Sequence, residues 1–65
     1  MSVGTEFPDE LHRVKELLQQ YEAIGPAGAF GAATLRQTIA AAERAWESGD
    51  PVAIVQAFAV LRGCE

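Results

Sequence analysis

Few side chains in this sequence could carry out chemistry, and those few are widely spaced. His12 and Glu16 lie four residues apart, which places two side chains on one face of a helix. Such a pair could form half of a metal site, but no second histidine or cysteine follows at helical spacing. We therefore interpret both as solvated surface residues.

Two further features could suggest a reactive site. Glu43 and Glu47 share a helix face, but paired carboxylates share a proton or a metal only when they are buried, and the neighbouring Arg44 favours a solvated face. Cys64 is the single cysteine, with no histidine or lysine beside it to activate a thiolate. The sequence therefore predicts no catalytic residue, no cofactor and no metal site, and we do not expect an enzyme.

Three glycines, Gly25, Gly28 and Gly31, resemble a phosphate-binding loop in composition only. A Walker A loop requires a lysine and a hydroxyl residue after its last glycine, whereas two alanines follow Gly31. A dinucleotide-binding motif follows a strand, and the segment before Gly25 has helical periodicity. We interpret the glycines as a tight turn between two helices, with close packing around Phe30.

The first of three predicted helices spans residues 5–24 and follows a disordered arm at residues 1–4. Thr5 can cap its free amides, and Pro8 is tolerated in a first turn. Gly25 suits the left-handed position after the last helical residue. One face is apolar at alternating spacings of four and three and is expected to line the core: Phe7, Leu11, Val14, Leu18 and Tyr21, widened by Leu17 and Ile24.

The second helix is predicted at residues 30–48 and the third at residues 51–62. Gly49 ends the second helix. Asp50 then suits the N-cap of the third helix, and Pro51 suits its first position. The apolar positions of the second helix are Leu35, Ile39, Ala42 and Trp46, which Phe30 or Ala32 can extend backwards.

The third helix is too apolar for a monomer's surface, because Gln56 is its only polar side chain between Val52 and Leu61. A helix that is apolar on all sides must be buried on all sides, and two short helices cannot surround a third. A chain of 65 residues with one cysteine also lacks an internal disulfide to stabilise it. We therefore expect residues 1–65 to form one all-α domain, a three-helix bundle completed by homodimerisation, with the interface residues Trp46, Val52, Val55, Phe58 and Leu61. Two alternatives stay open: the same residues form the core of a monomeric three-helix bundle, or they contact another protein.

The charge balance argues against nucleic acid as a partner. The net charge is −4, whereas proteins bind nucleic acid largely by neutralising phosphates with cations. The alternative interpretation is a small helix-turn-helix DNA-binding regulator that reads bases with Arg36, Gln37 and Arg44 of the second helix. The first turns of that helix, however, hold small uncharged residues.

The sequence also predicts a cytoplasmic protein without a membrane span. Residues 1–6 have neither the basic nor the apolar region of a secretion signal. The longest apolar run, Pro51–Leu61, is about half the roughly 20 residues that a spanning helix needs. A single cysteine suits a reducing compartment.

Short segments at the turns and helix ends resemble small uncharacterised proteins of Mu-like transposable phages and prophages. The resemblance covers roughly residues 17–65 and rests on Gly25-Pro26-Ala27-Gly28-Ala29-Phe30-Gly31, Ala42-Glu43-Arg44-Ala45, Gly49-Asp50 and Leu61-Arg62-Gly63-Cys64-Glu65. It implies a bacterial cytoplasm and an accessory or regulatory gene without enzymatic activity. By analogy with such proteins, we expect a protein-protein interaction module that binds a host or phage protein.

Overall fold

The structure, a computed structural model, describes residues 2–64. It contains three helices, α1 (Val3–Ile24), α2 (Ala29–Ser48) and α3 (Pro51–Arg62), with a 3-10 turn at Pro26–Gly28 between the first two. The described residues form no strand. The predicted all-α, three-helix fold is confirmed, and the bounds of the third helix are those predicted.

The start of α1 differs from the prediction. Val3 and Gly4 belong to the helix rather than to a disordered arm, while Met1 lies outside the described residues. Ser2, and not Thr5, occupies the N-cap position, and its carbonyl accepts hydrogen bonds from the Thr5 and Glu6 amides. Val3 packs against the core, and this apolar contact accompanies a helix that begins two residues earlier than predicted. Pro8 consequently lies inside α1.

Two ion pairs show how α1 and α2 lie against each other. Lys15 Nζ lies 3.4 Å from Glu43 Oε2, and an Arg36 guanidinium nitrogen lies 2.7 Å from Glu22 Oε2. The residue numbers of each pair add up to 58, as expected of two antiparallel helices in one register. The two helices therefore form a long hairpin that is paired along the same flank.

The turn of this hairpin is built around Tyr21 rather than Phe30. A Cβ atom on Gly28 would lie 2.2 Å from the Tyr21 carbonyl oxygen, and one on Gly31 would lie 2.3 Å from the Tyr21 ring. Phe30 is 86% exposed, so the predicted packing around it is wrong. Gly25 has φ +87° and ψ −145°, a backbone conformation that favours glycine, as predicted, but that differs from the left-handed helical conformation predicted for the end of α1.

The core lies between the inner faces of the three helices and follows the predicted apolar positions closely. Ala32, and not Phe30, extends the apolar face of α2 backwards. Ile24 is 61% exposed and does not join the core. The buried apolar residues are Phe7 and Val14 of α1, Ala32, Leu35, Ile39 and Ala42 of α2, and Phe58 and Leu61 of α3.

The third helix covers only part of the hairpin. The rings of Phe7 and Phe58 lie 6.3 Å apart, and Arg13 donates hydrogen bonds to the carbonyls of Leu61 and Cys64. These contacts make α3 parallel to α1 and place its carboxyl end beside the middle of α1. With 12 residues, α3 is about 18 Å long, whereas the 22 residues of α1 extend about 33 Å. The half of the hairpin nearest its turn therefore lacks a third helix.

Candidate interaction surface

Four of the five predicted interface residues divide into two groups. Val52 and Val55 are 64% and 55% exposed, which leaves them accessible to another molecule. Phe58 and Leu61 are 7% and 0% exposed and belong to the core, so the prediction that they form an intermolecular interface is corrected. Both face the hairpin because their spacing with Ile54 and Ala57 forms the inner side of α3.

Trp46 has an intermediate position at the end of α2. Its ring stacks on Phe7 with the centroids 4.8 Å apart and an interplanar angle of 24°. The residue is still 41% exposed. Trp46 thus shields the Phe7 end of the core, while the rest of its surface remains open to contact.

The outer face of α3 is a row of exposed residues opposite the core. It consists of Val52, Gln56, Ala59 and Gly63, which follow one another at spacings of four, three and four. Val55 flanks this row on one side and the 56% exposed Val60 flanks it on the other. Gln56 is the only polar side chain among these six residues. The sequence prediction that the chain's own helices cannot cover α3 is therefore confirmed.

A second surface continues along α1 beyond the end of α3. Arg13 identifies the side of α1 that faces α3, and Leu17, Gln20 and Ile24 continue on that side. Tyr21 lies beside this row and against Gly31 of α2. We call these residues beyond α3 the recess: Leu17, Gln20, Tyr21, Ile24 and Gly31. None of the five is charged, and the α1 segment 17–24 extends about 12 Å.

Arg13 is the structural residue that sequence reasoning missed. It does not belong to the predicted apolar face of α1, but its guanidinium lies 2.8 Å from the Leu61 carbonyl oxygen and 3.0 Å from that of Cys64. It also contacts Glu10 at 2.8 Å. A cation at the carboxyl end of a helix binds free carbonyls and interacts favourably with the helix dipole. The sequence indicates this position only in that Arg13 lies four residues before the apolar Leu17, on the same side of α1.

The candidate chemical residues are engaged in ordinary surface contacts. His12 Nε2 lies 2.6 Å from Glu16 Oε1, and both side chains are more than half exposed, which confirms the solvated interpretation. Glu43 pairs with Lys15 of α1. The half-buried Cys64 places its Sγ atom 3.4 Å from the Val60 carbonyl oxygen. Across residues 2–64 we find no pocket and no group of three or more ligating side chains suited to a metal ion.

The chain matches no known protein family, no curated protein and no solved structure. The resemblance to Mu-like phage proteins therefore stays a prediction. Within the described part of the chain, no helix combines the length and the apolar character required to cross a bilayer.

Proposed function

We propose that this chain is a protein-protein interaction module without catalytic activity that acts as a homodimer through the outer face of α3. The observation that carries the proposal is the exposure of three valines, Val52, Val55 and Val60, each more than half exposed on one 12-residue helix. Covering such a side chain contributes roughly 1 kcal/mol, since full burial contributes about 1.5–3 kcal/mol.

The distribution of charge supports a second copy as the partner. The net charge of −4 would repel an identical chain if the charges lay on the contacting surface. None of the six residues of the outer face of α3 is charged, and the exposed Arg62 lies at the edge of this face with its guanidinium carbon 5.7 Å from the centroid of the Phe58 ring. Several charges elsewhere are paired between α1 and α2. Two copies can therefore bring this face into contact without burying a charge.

The biological setting that we propose follows the resemblance found in the sequence. A small acidic phage or prophage accessory protein in the bacterial cytoplasm would regulate a host or phage protein by binding it.

No structural observation favours the helix-turn-helix alternative. The two helices of a helix-turn-helix motif cross at roughly 90–120°, whereas α1 and α2 of this chain are antiparallel. In addition, Arg36, which would read bases in that motif, is paired with Glu22.

Sedimentation equilibrium across micromolar concentrations tests the proposal. We expect the natural chain to sediment as a dimer and Val55→Asp as a folded monomer, because the aspartate would place a charge within the contact. Ala41→Asp is the matched control, since Ala41 is exposed on α2, and we expect it to remain dimeric. Circular dichroism should show both variants helical, whereas Phe58→Asp should unfold. A natural chain that sediments as a monomer would contradict the proposal.

A further inference from the structure

The outer face of α3 is too small to hold two copies together by itself. Half the surface of a helix about 18 Å long and about 11 Å wide is about 300 Å². Two such faces bury about 600 Å² in total, which is the size of a crystal contact, whereas a specific interface buries at least about 1,000 Å². A stable dimer therefore needs a second surface of similar size on each copy.

The side of α1 that α3 leaves uncovered has the length that a second α3 requires. It runs from Arg13, where α3 ends, to Ile24, and these 12 residues extend about 18 Å, of which the recess is about the last 12 Å. The uncovered part of α1 and the turn beyond it are about as long as α3 itself. If each copy inserts its α3 into the recess of the other, each contributes both surfaces. The total then reaches about 1,200 Å², which lies within the range of stable interfaces.

The side chains on the two surfaces correspond in reverse order. The row on α1 is Arg13, Leu17, Gln20 and Ile24, and the row on α3 is Val52, Gln56, Ala59 and Gly63. Both rows have spacings of four, three and four. Placed antiparallel, Ile24 lies opposite Val52, Gln20 opposite Gln56, Leu17 opposite Ala59, and Arg13 opposite Gly63. In the first three pairs apolar residues meet apolar residues and one glutamine meets the other. In the fourth pair Arg13, whose guanidinium is bound to the carbonyls of Leu61 and Cys64 of its own chain, meets a glycine without a side chain.

We propose that a second copy of this chain inserts its α3 into the recess, with Gln20 paired to Gln56 of the second copy across a two-fold axis. This inference rests on the proposed homodimer and specifies its geometry. The two α3 helices lie end to end between the two hairpins, so each is covered by its own hairpin inside and by the other hairpin outside. That arrangement explains why α3 is apolar on nearly all sides.

The glutamine pair provides a test that leaves the core intact, because Gln20 and Gln56 are both exposed within one chain. They lie about 20 Å apart along the bundle of one chain, farther than the Debye length of about 10 Å at 0.1 M salt. We expect Q20E/Q56E to raise the dimer dissociation constant at least tenfold, because each dimer then holds two pairs of like charges. Q20K/Q56E, with opposite charges, should restore dimerisation.

Gln19 supplies the matched control, since it is exposed and lies on another face of α1. Q19K/Q56E has the same composition of charge as Q20K/Q56E, and we expect no restoration relative to Q56E alone. Dissociation constants are measured by sedimentation equilibrium at 0.1 M salt and again at 1 M salt. At the higher salt concentration the dissociation constants of Q20K/Q56E and Q19K/Q56E should differ less.

Disulfide cross-linking tests the geometry directly. In a C64S background, I24C and V52C within one chain lie too far apart to bond, at opposite ends of a molecule 36 Å long. Mild oxidation of I24C/V52C should give a covalent dimer, and Q19C/V52C should not. A dimer that forms no I24C–V52C bond and is not restored by Q20K overturns this geometry while leaving the proposed homodimer in place. A monomeric natural chain overturns both.

Discussion

Tyr21 and two glycines set the distance between α1 and α2 near their turn. The Tyr21 carbonyl occupies the space that a Cβ on Gly28 would need, and its ring occupies the space beside Gly31. Only glycine at these positions lets the start of α2 approach α1 so closely. The two glycines are therefore packing residues as well as turn residues.

We predict that Gly28→Ala destabilises the chain by about 1–3 kcal/mol, the usual cost of an added group in a closely packed site. The contact is with backbone, 2.2 Å from the Tyr21 oxygen, so a side-chain rotation cannot relieve it. Urea denaturation measures the change. Gly4→Ala is the control: a Cβ atom there meets nothing nearer than 3.7 Å, and the residue lies in the first turn of α1, so the substitution should stabilise the chain by less than the roughly 0.5–1 kcal/mol gained in the middle of a helix. Equal effects of the two substitutions would contradict this prediction.

The glycine spacing shows what a sequence can and cannot predict at a single residue. Gly25 was assigned correctly because a helix end followed by proline is a local signal. The partner of Gly28 and Gly31 was assigned to Phe30, the aromatic residue nearest in sequence, whereas the structure places Tyr21 there. That contact depends on the register of two helices, which a local pattern does not contain.

The ends of α3 are stabilised by two polar contacts of different origin. Asp50 Oδ1 accepts a hydrogen bond from the Val52 amide at the amino end, and Arg13 donates to two carbonyls at the carboxyl end. The first contact was predicted from adjacent residues. The second joins residues 48 and 51 positions apart and could not be predicted from neighbouring residues, although it fixes where α3 lies along α1.

We predict that Asp50→Ala destabilises the chain by about 1 kcal/mol, because it removes the side-chain acceptor at the N-cap of α3. Asp50→Asn should cost little, since asparagine caps helices as well as aspartate does. Thermal and urea denaturation of the three chains measure the difference. A loss of stability in the asparagine variant as large as in the alanine variant would show that the negative charge, rather than the hydrogen bond, is responsible.

We predict that Arg13→Gln destabilises the chain by about 1–2 kcal/mol, because two charge-assisted hydrogen bonds to the end of α3 are lost. Arg36→Gln removes an arginine from an exposed ion pair and should cost about 0.5 kcal/mol or less. Hydrogen exchange should in addition show faster exchange of the last-turn amides of α3 in the Arg13 variant alone. Similar exchange in both variants would argue against this role of Arg13.

On the scale of the whole molecule, one feature of α3 could be inferred from composition and another could not. Its apolar character indicated that the chain's own hairpin would leave part of it uncovered, and the structure leaves Val52 and Val55 exposed. Composition did not separate these residues from Phe58 and Leu61, because on an apolar helix no polar stripe marks the outer side. The direction of the core became evident only from the rings of Phe7 and Phe58.

The homodimer also predicts how thermal stability depends on concentration. If folding is coupled to association, a tenfold rise in concentration stabilises a dimer by about 1.4 kcal/mol, or about 0.7 kcal/mol for each chain. A domain of this size gains about 4–8 °C in Tm for each kcal/mol, so Tm should rise by about 4 °C for each tenfold increase. The Val55→Asp variant should melt at a lower temperature that does not vary with concentration, while Ala41→Asp should retain the dependence. A concentration-independent Tm in the natural chain would contradict the homodimer, because the exposed valines of α3 would then make no contribution to the stability of the folded chain.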